Sequence, residues 1–375
     1  MNNTPETAIH TDVMIVGAGL SGIGSAVHLQ KNCPNRNYMI IERREAIGGT
    51  WDLFKYPGIR SDSDMHTLGY NFKPWRAEKA IADGPAIWTY VNETADEYGI
   101  RDQIRFGHKL IASSWSTESA SWLLTVETGN GGTQYFSCNF LLMCAGYYNY
   151  DAGHQPKFQG RDDFQGIWVH PQFWPEDLDY TGKKVVVIGS GATAMTLVPN
   201  MSQLAEKVTM VQRSPTYVVS RPSVDRVANF LRAIMPSSWA YGLVRLRNTL
   251  WQQIIYNRTR TNPDSVAQIL LEDVEKAVGD IVDVKKHFTP TYNPWDQRLC
   301  LVPDDDLFTA LRTGKAEVVT DTISHIDATG LVTGSGEHVD ADIIVSATGI
   351  ELLNLGGADF TVDGKPVNFA DEWTY

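Results

Sequence analysis

Short, uninterrupted apolar runs that end in glycine punctuate this chain. Val13-Met14-Ile15-Val16 leads into Gly17. A strand apolar at every position has both faces covered, as in a parallel sheet. A helix is predicted over 20–30 and a second strand at Tyr38-Met39-Ile40-Ile41, which completes one βαβ unit. The plan repeats at Val185-Val186-Val187-Ile188, with a helix over 192–204 and a strand at Val208-Thr209-Met210-Val211. The two copies lie roughly 170 residues apart, so the expected fold is α/β with two Rossmann-like dinucleotide-binding domains.

Between the copies, residues 104–126 alternate like sheet and 140–144 form another buried run. Residues 149–180, rich in Pro, Gly, Asp and His, are expected to be a linker. Residues 222–290 carry helical periodicity, a helical insertion in which Leu243, Leu246, Leu250 and Ile254 share one face. Arg245, Arg247, Arg258 and Arg260 lie near that face. A solvated insertion helix is the plainer reading, and peripheral contact with a membrane surface stays open. A late strand over 342–349 ends in a tight turn. The expected domains are 1–148 with 338–375 as the first module and 181–337 as the second.

Gly17-Ala18-Gly19-Leu20-Ser21-Gly22 is a GxGxxG run set between a strand and a helix. Gly17 serves the turn, Gly19 lets backbone approach a pyrophosphate, and Gly22 lets helix and strand pack closely. The N–H groups opening the helix, Ser21 included, face the phosphates. Glu42 closes the next strand, where a carboxylate accepts ribose hydroxyls and repels a 2′-phosphate. This chemistry suits FAD or NAD. Gly48, Gly49, Thr50, Trp51 and Asp52 follow, in the region that reaches the pyrophosphate and ribityl chain of FAD in such folds. Leu110, in the alternating segment, is a further candidate contact to FAD.

Gly189-Ser190-Gly191-Ala192-Thr193-Ala194 is the GxGxxA counterpart. Arg213 stands where the first copy has Glu42, beside Ser214. A guanidinium there forks onto a phosphate and selects NADPH over NADH. A bare glycine turn at the first site and a salt-bridged surface arginine at the second are the alternatives without ligands.

Composition narrows the classes further. The formal net charge of −12 argues against nucleic-acid binding. The four cysteines, Cys33, Cys138, Cys144 and Cys300, form no CxxC pair, so neither a metal site nor a dithiol reductase is signalled. Scattered free thiols fit a cytoplasmic setting. No apolar run reaches transmembrane length.

Two longer patterns carry a family likeness. Residues 49–62 resemble the GxWxxxxYPGxxxD pattern of Baeyer–Villiger monooxygenases, and 164–175 resemble their FxGxxxHxxxWP pattern, with His170 at its centre. The runs 55–75, 212–217 and 292–303 resemble the ethionamide-activating branch in particular. The resemblance implies that NADPH reduces FAD and that a C4a-(hydro)peroxyflavin formed with O2 oxygenates a small ketone, sulfide or thioamide. It casts Arg298 as the catalytic arginine, Asp62 as the carboxylate that orients it, and His170 as a linker residue that couples domain motion. Gln297 departs from the lysine many members carry, which rests the NADPH preference on Arg213. It also implies segments beyond residue 375 that complete the FAD domain, so a chain without turnover is one alternative. An N- or S-oxygenating flavin monooxygenase is another.

Overall fold

A computed structural model describes residues 8–368. They form two compact units, one of residues 8–53, 85–152 and 350–368, the other of 54–84 and 153–349.

The first unit is built on an eight-stranded sheet. Its order is Lys365–Pro366, Asp359–Val362, His108–Ser116, Ser121–Thr128, Thr133–Met143, Ile9–Val16, Tyr38–Ile41 and Ile104–Arg105. Ile9–Val16 pairs in parallel with Tyr38–Ile41 on one side and Thr133–Met143 on the other. The chain order therefore reverses at this strand, and its carboxyl end is a switch point of the kind that opens a ligand crevice. Met14, Ile15, Ile40 and Ile41 are fully buried, as an all-apolar parallel strand demands. The helix Leu20–Asn32 packs Gly22, Ile23, Ala26 and Val27 inward. At the other end of the sheet, His108–Ser116, Ser121–Thr128 and Thr133–Met143 pair antiparallel.

The second unit repeats the arrangement in a five-stranded parallel sheet ordered Ala316–Thr320, Lys207–Gln212, Lys184–Ile188, Ile343–Ser346, Ile167–Val169. Lys184–Ile188 is the reversal strand, followed by the helix Ala192–Met201. The insertion comprises the helices Arg226–Ile234, Ser237–Thr261, Pro263–Val278 and Val284–His287.

The division differs from the sequence-based one in three places. Ile343–Ser346 belongs to the second sheet and not to the first module, because it hydrogen-bonds to Lys184–Ile188 in parallel register. The expected linker contributes Ile167–Val169 as the edge strand beside it, so this stretch is part of a folded layer. Residues 54–84, which carry most of the YPGxxxD pattern, fold with the second unit. Pro199 explains part of that attachment. Lacking an N–H, it leaves the carbonyl of Met195 without its helical donor. The Arg60 guanidinium donates to that carbonyl at 3.4 Å and also pairs with Asp306.

Candidate nucleotide sites

At the first switch point, Gly17 adopts φ +107°, a region that side chains disfavour, and a Cβ there would overlap the Cys144 carbonyl. Gly19 has ordinary geometry but faces Gly49 so closely that a Cβ would lie 3.5 Å from the Gly49 Cα. The two bare backbones form a cradle that any larger side chain would fill. No side chain caps the helix Leu20–Asn32, so its positive end is left to a ligand. Ser21 is exposed beside it.

Glu42 is buried, 5% exposed. Its Oε2 accepts the Ala18 N–H at 2.7 Å and its Oε1 the Arg44 N–H at 2.9 Å. Burial pushes its carboxyl above the usual range, against those two bonds and the charges of Arg44 and Arg43. Each carboxylate oxygen keeps a second lone pair for a ribose hydroxyl.

Two first-unit candidates, Asp52 and Leu110, are engaged otherwise than expected. The Asp52 carboxylate is engaged by Arg44 at 2.5 Å, which makes it a partner of the glutamate loop before it is a ligand group. The Leu110 side chain lies in the core with Met14, Val16, Ile41 and Leu124. Any cofactor contact there runs through its backbone, where the strand register shifts between Leu110 and Ala112. Thr50 and Trp51 open the short helix Thr50–Leu53 and are half-buried.

The second switch point repeats the chemistry with the opposite charge. Gly189 sits at φ +134°, and a Cβ there would overlap the Ala347 carbonyl. Gly191 caps the helix Ala192–Met201 with no side-chain bond. Among the described residues, the only heavy atom within 4 Å of a Cβ at Gly191, its chain neighbours aside, is Arg298 Nη1 at 3.8 Å. That space therefore lies between a helix N-terminus and a guanidinium, which suits an anion. Ser190 is buried and donates to the Ser214 carbonyl at 3.3 Å. Ala194 is fully buried, where the terminal alanine of the motif packs helix on strand. Arg213 and Ser214 are exposed just past Lys207–Gln212, and among the described residues no carboxylate pairs with Arg213.

Thr193 holds a contact that sequence reasoning missed. It lies beside the hydroxyl of Tyr56, a buried phenol whose pKa burial pushes up to about 12, with Thr193 and Arg60 opposing the shift. The YPG segment thus reaches the second glycine loop at Thr193, while Arg60 holds it to the helix that follows. The internal Pro199, which orphans a carbonyl, was the available signal for the Arg60 contact; nothing in the sequence marked the Tyr56–Thr193 pair.

Arg298 precedes the strand Leu299–Pro303, with its carbonyl accepting from Tyr292 at 3.0 Å and Thr216 at 3.3 Å. The expected ion pair between Arg298 and Asp62 is not formed among the described residues; both side chains are exposed, and Ser63 donates to Asp62 at 3.5 Å. Water competes for both charges, which removes the incentive to pair. Both nevertheless act on the Cys300 thiol. Burial pushes its pKa up to about 11, with Arg298 opposing and Asp62 reinforcing the shift.

His170 is buried beside the turn that follows Ile343–Ser346. Its Nδ1 accepts the Gln172 N–H at 3.2 Å, so its Nε2 carries the proton donated to the Gly349 carbonyl at 3.3 Å. A Cβ on Gly153 would overlap the ring. Burial holds the His170 pKa below the usual range, with hydrogen bonds to Gly349 and His154 opposing. The folded state thus favours neutral imidazole, and unfolding takes up a proton as pH falls. Stability is expected to drop as pH decreases below about 6.5, because the unfolded chain protonates first. Melting temperatures from pH 7.5 to 5.5 should fall less steeply in His170→Gln than in the parent; equal slopes would remove His170 from the account.

Among the described residues no cluster fits a metal ion, and no helix is long and apolar enough to cross a membrane.

Comparison with known proteins agrees with this geometry. The flavin-binding monooxygenase-like family matches residues 80–353, and an NAD(P)-binding Rossmann-like domain matches 15–79. A probable FAD-binding monooxygenase AlmA of Acinetobacter sp is 52% identical over 97% of this chain and 73% of its own. The FAD-containing monooxygenase EthA of Mycobacterium tuberculosis is 52% identical over 98% of this chain and 75% of its own. Among solved structures, an oxidised steroid monooxygenase bound to NADP superposes with a TM-score of 0.77 at 26% identity, over 94% of this chain and 73% of its own. The OTEMO complex with FAD and NADP reaches the same TM-score at 22% identity, over 97% of this chain and 76% of its own, a likeness of fold. Two glycine-rich switch points of opposite charge, in a chain matched over most of its length, thus place this protein in the flavin-binding monooxygenase-like family.

Proposed function

We propose that this chain is an FAD- and NADPH-dependent monooxygenase that transfers one oxygen atom of O2 to a small ketone, sulfide or thioamide. The observation that carries the reading is the contrast between the two switch points: a buried glutamate directly follows the second strand of one, whereas in the other the matching place holds the neutral, buried Gln212, followed by Arg213, which is exposed and has no carboxylate partner among the described residues. One glycine cradle tolerates only a diol-bearing ribose, and the other invites a phosphorylated one. When bound, the nicotinamide supplies hydride and the flavin supplies the chemistry that activates O2.

The protein's part is binding, orientation and charge. Glu42 holds ribose hydroxyls, while Gly17 and Gly19 admit the pyrophosphate to the helix N-terminus. Arg213 and Ser214 hold the 2′-phosphate, and Gly191 and Ala192 present the second helix to the pyrophosphate. Arg298 supplies a permanent positive charge above Gly191, able to stabilise an oxyanion that develops beside it. Asp62 bears with it on the buried Cys300 thiol. Four free cysteines support a reducing, cytoplasmic setting.

The test is incubation of the flavin-loaded protein with NADPH, labelled O2 and a panel of ketones, sulfides and thioamides. One labelled oxygen per product is expected. NADPH consumption with no labelled product from any class would overturn the reading. Arg213→Glu places a carboxylate against the 2′-phosphate. KM for NADPH should rise about 10- to 100-fold, with KM for NADH changed far less. Parallel changes for the two nucleotides would show that Arg213 does not read the phosphate.

A further inference from the structure

Among the described residues, the helices Arg226–Ile234 and Ser237–Thr261 leave one side uncovered. On the longer helix, Trp239, Leu246, Leu250 and Ile254 fall within one stripe and are 54–73% exposed. On the shorter one, Phe230 and Ile234, one turn apart, are 62% and 61% exposed. The longer helix has a separate, buried side. Ala240, Tyr241 and Val244 are covered, the Tyr241 hydroxyl donates to the Tyr70 carbonyl at 2.9 Å, and Arg245 donates to the His66 and Gly69 carbonyls at 2.9 Å each. The platform is anchored and its apolar stripe points to solvent. A contiguous exposed apolar patch of this kind marks an interaction surface.

Charge narrows the partner. The chain carries a net −12, yet residues 226–261 contain six arginines and no Asp or Glu. Asp225 and Asp296 pair with Arg247 and Arg260. Arg226 and Arg258 flank the stripe, are exposed, and have no side-chain partner among the described residues. A second copy of this chain would bring the same positive charge against itself. A lipid surface with anionic headgroups offers both halves of the match, since Trp, Leu and Phe enter the acyl boundary while arginines pair with phosphates above it.

We propose that the face formed by these two helices docks on an anionic phospholipid surface. The experiment is flotation of the intact, flavin-loaded 375-residue protein with vesicles of phosphatidylcholine alone or with about one third phosphatidylglycerol. Binding to the anionic vesicles is expected, at least about tenfold stronger than to the neutral ones and weakened by 0.5 M salt. The Leu246→Glu/Leu250→Glu variant should lose that binding, and Arg226→Gln/Arg258→Gln should weaken it about tenfold. Both should keep the parent's melting temperature, since all four positions are exposed. Two results would overturn the proposal: no binding to either vesicle, or binding to both that ignores the arginines. A protein dimer that forms without vesicle binding and dissociates in Leu246→Glu/Leu250→Glu would overturn it too, assigning the face to a second copy.

Discussion

Arg298→Ala is expected to lower kcat for ketone oxygenation about 10²- to 10³-fold while leaving the fold intact. Removing one preorganised charge from a developing oxyanion typically has this magnitude. The side chain is exposed, so its loss opens no cavity, and the carbonyl that holds the strand start against Tyr292 and Thr216 remains. Its guanidinium also lies over Gly191, so the KM for NADPH should rise in the same variant. Oxygenation of a sulfide, which attacks the oxidant through sulfur and builds no oxyanion, should survive far better. Arg298→Lys keeps the charge but not the fork, and partial recovery of ketone turnover is expected. Steady-state kinetics on one ketone and one sulfide separate the outcomes. Ketone turnover at the parent rate in Arg298→Ala would remove the arginine from the chemistry.

Gly19→Val has the second large expected effect: a folded protein without flavin. Gly19 has φ −79°, so valine meets no backbone strain. Its Cβ would stand at ordinary contact distance from Gly49. The γ-methyls would then occupy the cradle that a pyrophosphate needs. FAD affinity should fall at least about 100-fold, roughly 2.7 kcal/mol. The flavin-to-protein absorbance ratio and a melt of the flavin-free protein give the two readings. Gly17→Ala is the contrasting variant, since at φ +107° and against the Cys144 carbonyl it should cost stability as well as flavin. A flavin-loaded Gly19→Val protein would mean that the cofactor does not cross this turn.

Much of this was legible in the chain itself. An all-apolar run followed by GxGxxG dictates strand, tight turn and helix through local chemistry alone. Val13–Val16 and Val185–Ile188 therefore lie in the strands expected of them. The helix predicted over 20–30 is Leu20–Asn32, and that predicted over 192–204 is Ala192–Met201. The second helix ends three residues before the predicted bound, and Leu204, just past it, is 56% exposed. The charge at the end of each second strand is equally local. Glu42 and Arg213 stood out because each lies just past the second strand of its module, although the register sets Gln212 where Glu42 stands and Arg213 one residue further on.

Which sheet a strand joins, and which groups meet, only the tertiary structure decided. The run Ile343–Ser346 reads as a buried strand in either module; hydrogen-bond register with Lys184–Ile188 chose the second. Residues 54–84 follow the first glycine site in sequence but fold with the second unit, held by Arg60 on the Met195 carbonyl and on Asp306. Asp62 and Arg298 bear the charges of an ion pair that solvent exposure leaves unmade. The exposed helix face was visible as a periodicity, but only packing of the opposite side showed that it was left over. Periodicity and motif spacing act within a few turns of chain, and so sequence alone determined the two glycine sites and their charges. Pairing across hundreds of residues depends on complementary burial and register, which no local pattern encodes.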